Sequence, residues 1–203
     1  MSLSVLLLLV TVVETAAAQD PGSTRILIAF HSETGNTEKL AQAVRDGAVR
    51  AGGVEVLLRK VGEVSSEEIL NADGILLGTP VHWAGLSAEC KRFLDRLGQA
   101  LMEAKALERE GRTGGAFVTG GAPSSGKELA RLSILSAFLN LRFLVVGGVA
   151  ADGFGTLGPQ ATTGPEDPGL SEAELEEARR SGERFARLTR EIRLALAKAG
   201  ERK

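Results

Sequence analysis

An α/β chain with one parallel sheet covered by helices on both faces is the fold class this sequence predicts. Three observations predict it. Short, nearly continuous apolar runs alternate with stretches of helical periodicity. Gly, Pro and small polar residues punctuate the junctions, and no internal repeat or inter-domain linker interrupts the alternation. The 203 residues, 43% hydrophobic and 25% charged, suffice for one domain with a substantial core. Right-handed crossovers leave few threadings, of which a five-stranded order 2-1-3-4-5 fits best. In that order ligands bind beyond the carboxyl ends of strands one and three, so the loops after Phe30, Gly78 and Thr119 are the ones to inspect.

The elements follow in turn. Arg25 to Phe30 is an apolar run suited to a strand buried on both faces. Helical periodicity from about Thr37 to Ala51 puts Leu40, Ala43, Val44 and Ala48 on one face, and Gly52-Gly53 ends it. Val54 to Leu58 is the second strand. A short helix starts near Ser66, with Ser65 and Glu68 at capping-box spacing. Asp73 to Gly78 is the third strand, expected to stop at Thr79-Pro80. Ser87 opens a long helix with Cys90, Phe93, Leu94 and Leu97 inward. Gly115 to Thr119 is the fourth strand, and Ser125 with Glu128 suits a capped helix after it. Phe143 to Gly148 is the fifth strand. Asp152 to Gly169, rich in Gly, Pro and Thr, reads as a long surface loop. Ser171 and Glu174 cap a final helix that runs to Ala199, in which Gly182 implies close packing against the sheet.

The amino terminus is different in kind. Leu3 to Val13 is apolar except for Ser4 and Thr11, and no Lys or Arg precedes Arg25. The run is too short to cross about 30 Å of hydrocarbon comfortably. Ala16 and Ala18 fit the small-x-small pattern of a cleavage site. Residues 1–18 are therefore expected to be an export signal cut after Ala18, residues 19–23 a short linker, and 24–200 the folded domain. The mature domain would then have no stable membrane insertion. It would be periplasmic or secreted, and cytoplasmic if the segment is not a signal.

Composition narrows the chemistry. A net charge of -2 argues against a broad nucleic-acid surface. One cysteine rules out an internal disulfide and a cysteine-rich cluster, and two histidines disfavour a multi-histidine metal site, so no metal is expected. No Ser-His-Asp set can be assembled, and no catalytic acid or base is named. Cys90 reads as a buried structural thiol, and His31 as a residue that orients the loop it opens.

That loop, His31 to Thr37, joins a buried strand to a helix start. Ser32, Thr34 and Thr37 offer hydroxyl donors, Asn36 an amide, and Gly35 a tight turn. The helix after it supplies unpaired N–H groups and a positive dipole end. Such a loop holds a phosphate without Lys or Arg. It has neither the Lys of a Walker A loop nor a Gly-x-Gly-x-x-Gly pattern.

Ser32-Glu33-Thr34-Gly35-Asn36-Thr37 resembles the FMN-phosphate loop of flavodoxins, Ser/Thr-x-Thr-Gly-x-Thr. The fold expectation thereby becomes a flavodoxin-like three-layer sandwich, with FMN held by its monophosphate on residues 32 to 37. Gly78-Thr79-Pro80, Ser87, Lys91, Phe93 and Asp95 resemble a narrower group. These are the flavodoxin-like NAD(P)H:quinone oxidoreductases of Trp-repressor-binding-protein type, with Gly-Thr-Pro-x-Arg-Phe/Tyr-Gly-x-Met-Ser and then x-x-x-Lys-x-Phe-x-Asp. The resemblance spans roughly residues 24 to 190. It implies flavin-ring contacts at Pro80, Val81, His82, Trp83 and Gly85, with Trp83 as the stacking side chain. It implies ring-edge and ribityl contacts at Thr119, Gly120, Gly121, Ala122, Pro123, Ser124 and Ser125. His82 stands where that group commonly has Arg, and Asn140 near where it has a histidine beside the flavin. The implied activity is FMN-dependent electron transfer from NAD(P)H to a quinone-like acceptor by a homo-oligomer. The alternatives are a flavodoxin-type single-electron carrier and an FMN-free binding module of the same fold. The FMN reductases proper fit less well, because their Gly-Ser-x-Arg phosphate loop is not seen.

Overall fold

A computed structural model describes residues 23–149, 155–164 and 166–200. The expected signal at 1–18 and most of the linker at 19–23 lie outside the described residues. β1 (Thr24–Phe30) is central, flanked in parallel by β2 (Val54–Lys60) and β3 (Gly74–His82), and β3 is flanked by β5 (Thr113–Gly120). β6 (Leu144–Val145) follows beside β5, giving the order β2-β1-β3-β5-β6. With the fourth and fifth expected strands written as β5 and β6, this is the flavodoxin-like 2-1-3-4-5 threading. Two short additions bring the sheet to seven strands: β4 (Gly85–Leu86) on β3 and β9 (Gln160–Thr162) on β5.

Both faces of the sheet are buried, which is why β1 reads as an unbroken apolar run. Ile26 and Ile28 point to one face, under α1 (Asn36–Arg50) and α5 (Glu172–Gly200), with Leu40, Val44 and Phe185. Leu27 and Ala29 point to the other, under α2 (Ser66–Asn71), α3 (Ala88–Glu103) and α4 (Lys127–Asn140), with Phe93, Leu97 and Phe138. The caps expected at Ser65, Ser87 and Ser171 form. Ser65 and Glu68 bond reciprocally, Ser87 Oγ accepts from Cys90 N, and Ser171 pairs with Glu174.

Five expectations are corrected. β3 does not stop at Thr79-Pro80 but runs to His82. Gly78 accepts from His31 N, so it faces β1, and Pro80 two residues on faces the same way, where β1 has already ended. The missing proline N–H therefore has no ladder partner to lose. The fifth strand is split. β6 pairs the start of β5, the chain leaves the sheet at Gly147 into a two-stranded ribbon of β7 (Gly148–Val149) and β8 (Gly155–Thr156), and β9 then pairs the end of β5. The expected loop over 152–169 thus contributes strand structure. α4 is capped by Gly126 at φ 90°, with no side-chain cap, rather than by Ser125 and Glu128. Finally, Gly182 packs on a helix, not the sheet: a Cβ there would lie 2.0 Å from the Val44 carbonyl oxygen, and one on Gly47 1.8 Å from that of Arg179.

Candidate functional site

The three loops singled out from the sequence meet at the carboxyl ends of β1, β3 and β5. The first is built from local bonds. Gly35 takes φ 90° as it caps α1, and its N–H donates to Ser32 Oγ at 3.1 Å. Asn36 Nδ2 donates to Thr34 Oγ1 at 3.2 Å. In both bonds the hydroxyl is the acceptor, so Ser32 and Thr34 keep their own hydrogens for a further acceptor. Thr34 and Glu33 are exposed, Asn36 and Thr37 buried. Thr37 Oγ1 lies 2.7 Å from Thr119 Oγ1, a buried bond that ties the first loop to the third across 82 residues of sequence. Hydroxyl donors, a helix start and a glycine turn converge as an oxyanion needs.

The second loop is a hairpin. β3 and β4 pair antiparallel through Val81↔Leu86 and His82↔Gly85, leaving Trp83 and Ala84 as a two-residue turn with φ of 50° and 65°. Positive φ at both central residues is the geometry that Asn-Gly favours, and here it is imposed on a tryptophan. The Trp83 side chain is wholly in solvent, at 103% relative exposure, while Pro80, Val81, His82 and Gly85 are half-buried. A large aromatic surface is thus displayed at the mouth of the site. Behind it Thr79 Oγ1 accepts from Ser87 N at 2.9 Å, which fixes the base of the hairpin.

The third loop starts from buried Thr119 and Gly120 and crosses the surface at Gly121, Ala122, Pro123 and Ser124. Ser125 Oγ is buried without a hydrogen-bond partner. A buried hydroxyl left over in this way fits a site that awaits a polar group. The hairpin tip abuts this loop, since a Cβ on Gly126 would lie 2.5 Å from Ala84 Cα. The FMN requirements of a phosphate seat, an aromatic face and polar ring-edge groups all have residues here to meet them.

Several members were not foreseen from sequence. Asp167 accepts from Asn36 Nδ2 at 2.8 and 3.0 Å, so the segment after β9 clasps the first loop. Thr163 N donates to the Gly120 carbonyl at 2.9 Å, and Thr162 N to Glu174 Oε1 at 2.7 Å. The Lys127 ammonium, on a residue only 2% exposed, donates to Thr162 Oγ1, and burial pushes its pKa down. Arg131 holds the Gly158 carbonyl and Gln160 Oε1. α4 thereby pins β9 beside the third loop. The only hint of this in the sequence is the Ala161 to Gly164 segment, which the family resemblance already covered. His31 and Glu89 also border the site, 3.5 Å apart.

Known proteins are similar to this chain in sequence and in fold. A flavodoxin of Aquifex aeolicus is 36% identical over 165 residues, which is 80% of this chain and 85% of the relative. The chain belongs to the flavodoxin-like FMN-binding family. An NAD(P)H dehydrogenase (quinone) of Archaeoglobus fulgidus is 35% identical over 148 residues, 61% of this chain and 75% of that protein. The model of the family described as NADPH-dependent FMN reductase matches residues 62–156, beginning after the first loop. In fold, the flavodoxin-like chain superposes on a WrbA-like flavodoxin from Agrobacterium tumefaciens with a TM-score of 0.67. That protein is 24% identical, and the match covers 84% of this chain and 99% of the other. The cofactor of this flavodoxin-like protein is FMN, and the protein is an oxidoreductase.

Proposed function

We propose that the three loops hold FMN, with its phosphate on Ser32 to Thr37. Its ring would lie against Pro80, Val81, His82, Trp83 and Gly85, with its edge facing Thr119 to Ser125. The protein then passes two electrons from NAD(P)H to a quinone-like acceptor. The observation that carries the reading is the first loop, where the hydroxyls of Ser32 and Thr34 accept within the chain and keep their own hydrogens to donate. Bound FMN supplies the redox chemistry, and the protein contributes binding and orientation. The relatives named NAD(P)H dehydrogenase (quinone) support this donor and acceptor. The exposed indole supports an acceptor that stacks from solvent.

The test is to load the purified protein with FMN, record its visible spectrum, and follow NAD(P)H oxidation with and without benzoquinone. Flavin uptake with quinone-dependent turnover supports the reading; flavin uptake with no turnover over several quinones overturns it. The second reading, a single-electron carrier, is favoured by the relatives named flavodoxin. A one-electron-reduced flavin that persists through stepwise reduction would select it. We also propose a homo-oligomer, checked by light scattering. We further propose a cleaved export signal at 1–18, a linker at 19–23 and the domain at 24–200, checked by fractionating cells that express the full chain and by the mass of the recovered protein.

A further inference from the structure

The chain has two histidines, and both stand at the carboxyl ends of neighbouring strands. Their rings meet edge to face, with centroids 5.9 Å apart and planes at 87°. Each ring has its own carboxylate. His31 Nδ1 is 3.5 Å from Glu89 Oε2, and His82 Nε2 is 3.7 Å from Glu33 Oε1. Neither contact is a finished hydrogen bond, and His31 Nδ1 is buried without one. A buried ring nitrogen left open beside a carboxylate is costly unless a proton or a water visits it.

The far end of the array reaches solvent. Glu89 is gripped by Arg92 at 2.6 Å, and the two line a 530 Å³ cleft with Val61, Phe93 and Arg96. The Glu89 carboxyl is held below the usual range by its own backbone N–H, with the charges of His31 and Arg92 acting the same way. Cys90 packs beside the pair, but burial raises its thiol pKa and the thiol donates to the Gly78 carbonyl, so it stays neutral. Among the described residues, the groups facing the two rings are therefore Glu33, Glu89 and the Cys90 thiol, with Arg92 behind Glu89. The near end is the hairpin that carries Trp83. Imidazole is the side chain able to gain and lose a proton near neutral pH, and here two stand side by side, His31 against the carboxylate that lines the cleft and His82 on the flavin hairpin.

We propose that Glu89, His31 and His82, with Glu33 beside His82, form a proton relay between solvent and the flavin site. This rests on the FMN reading above. Balance requires a proton from water. A reduced nicotinamide gives up a hydride and becomes oxidised nicotinamide. Full reduction of a flavin consumes that hydride and one proton. A quinone becomes a hydroquinone by taking two electrons and two protons from the reduced flavin. One proton per turnover therefore enters from water, and the relay delivers it. His82 is the inner donor, and His31 acts through it as a positioning and relay residue.

Two measurements test this on the full chain. With two histidines, the imidazole carbon-bound protons of the flavin-free protein give two resolvable NMR titrations. His31→Gln should shift the His82 midpoint, and Glu89→Gln should lower that of His31; independent titrations overturn the relay. In the FMN-loaded protein at saturating FMN, flavin reduction by NADPH is timed from pH 5 to 8 in the wild type and in Glu89→Gln, which removes the carboxylate beside His31. The variant should be at least about tenfold slower at pH 8 and should regain much of the rate in added imidazole, a small base that carries the proton in place of the relay. Flavin uptake with the same rates in both proteins overturns the relay and leaves the FMN reading standing. Failure to take up flavin overturns the FMN reading, and the NMR titrations still decide the coupling.

Discussion

Trp83 concentrates the residue-scale physics of this protein. It holds a left-handed φ of 50° and places its whole indole in water, so neither backbone preference nor burial explains it. Left-handed backbone costs an L-residue roughly 1–2 kcal/mol. Replacing Trp83-Ala84 by Asn-Gly should therefore raise the urea midpoint of the flavin-free protein by an amount equivalent to about 1–3 kcal/mol. The same change should weaken FMN binding about two- to tenfold, the loss of an aromatic contact worth about 0.5–1.5 kcal/mol. Trp83 is also the only tryptophan, so its emission should be that of a solvated indole and should be quenched on titration with FMN. Cys90 is the opposite case. It is fully buried, its thiol pKa is raised first by desolvation, and only the thiolate reacts. At pH 8 the folded protein should leave a thiol reagent unconsumed for hours, and one equivalent should react in denaturant. Both residues could be read from the sequence, Cys90 by its place on a helical face and Trp83 by its place in a loop. The strain at Trp83 could not, since it exists only once the hairpin register is set.

Most elements with purely local signals were legible, the exception being α4, where Gly126 and not Ser125 takes the cap. Ser65 with Glu68, Ser87, and Ser171 with Glu174 cap helices as their spacing implies. Elements set by non-local pairing were not. Thr79-Pro80 ends a strand by local rules, yet β3 continues because its partner β1 has already stopped. The fifth strand position is filled by β6 and β9, which are separated by the β7–β8 ribbon, and no local pattern encodes that return. The α1–α5 crossing carries the sharpest element-scale prediction. Gly47 and Gly182 each face a carbonyl of the opposing helix, with room for no Cβ. Gly47→Ala or Gly182→Ala should cost about 3 kcal/mol, at the top of the overpacking range, although alanine is the better helix former. Gly62→Ala, with open space around it, is the control. Equal unfolding midpoints for the three variants would show that the helices can separate without cost.

At the scale of the molecule, the site joins segments that folding alone brings together. Residues 32–37 can be proposed from the sequence because a phosphate seat is one contiguous turn. The Asp167 clasp was not legible there, because its bond to Asn36 spans 131 residues. FMN should therefore act as a staple across the fold. A ligand that binds only the folded chain stabilises it by about 2.7 kcal/mol at a hundred times its Kd. For a domain of this size that is a rise in Tm of roughly 5–11 °C. The shift should depend on the bond between loops as well as on the seat. Thr37→Val removes the hydroxyl that meets Thr119 and leaves the shape nearly unchanged, so it should lose most of the shift at fixed FMN. Asp167→Ala leaves that seat intact and frees only the clasp, so it should lose a smaller part of the shift. Differential scanning calorimetry of the three proteins at matched FMN reads both effects. Equal shifts in all three would mean that the phosphate loop binds FMN without help from the strands beside it.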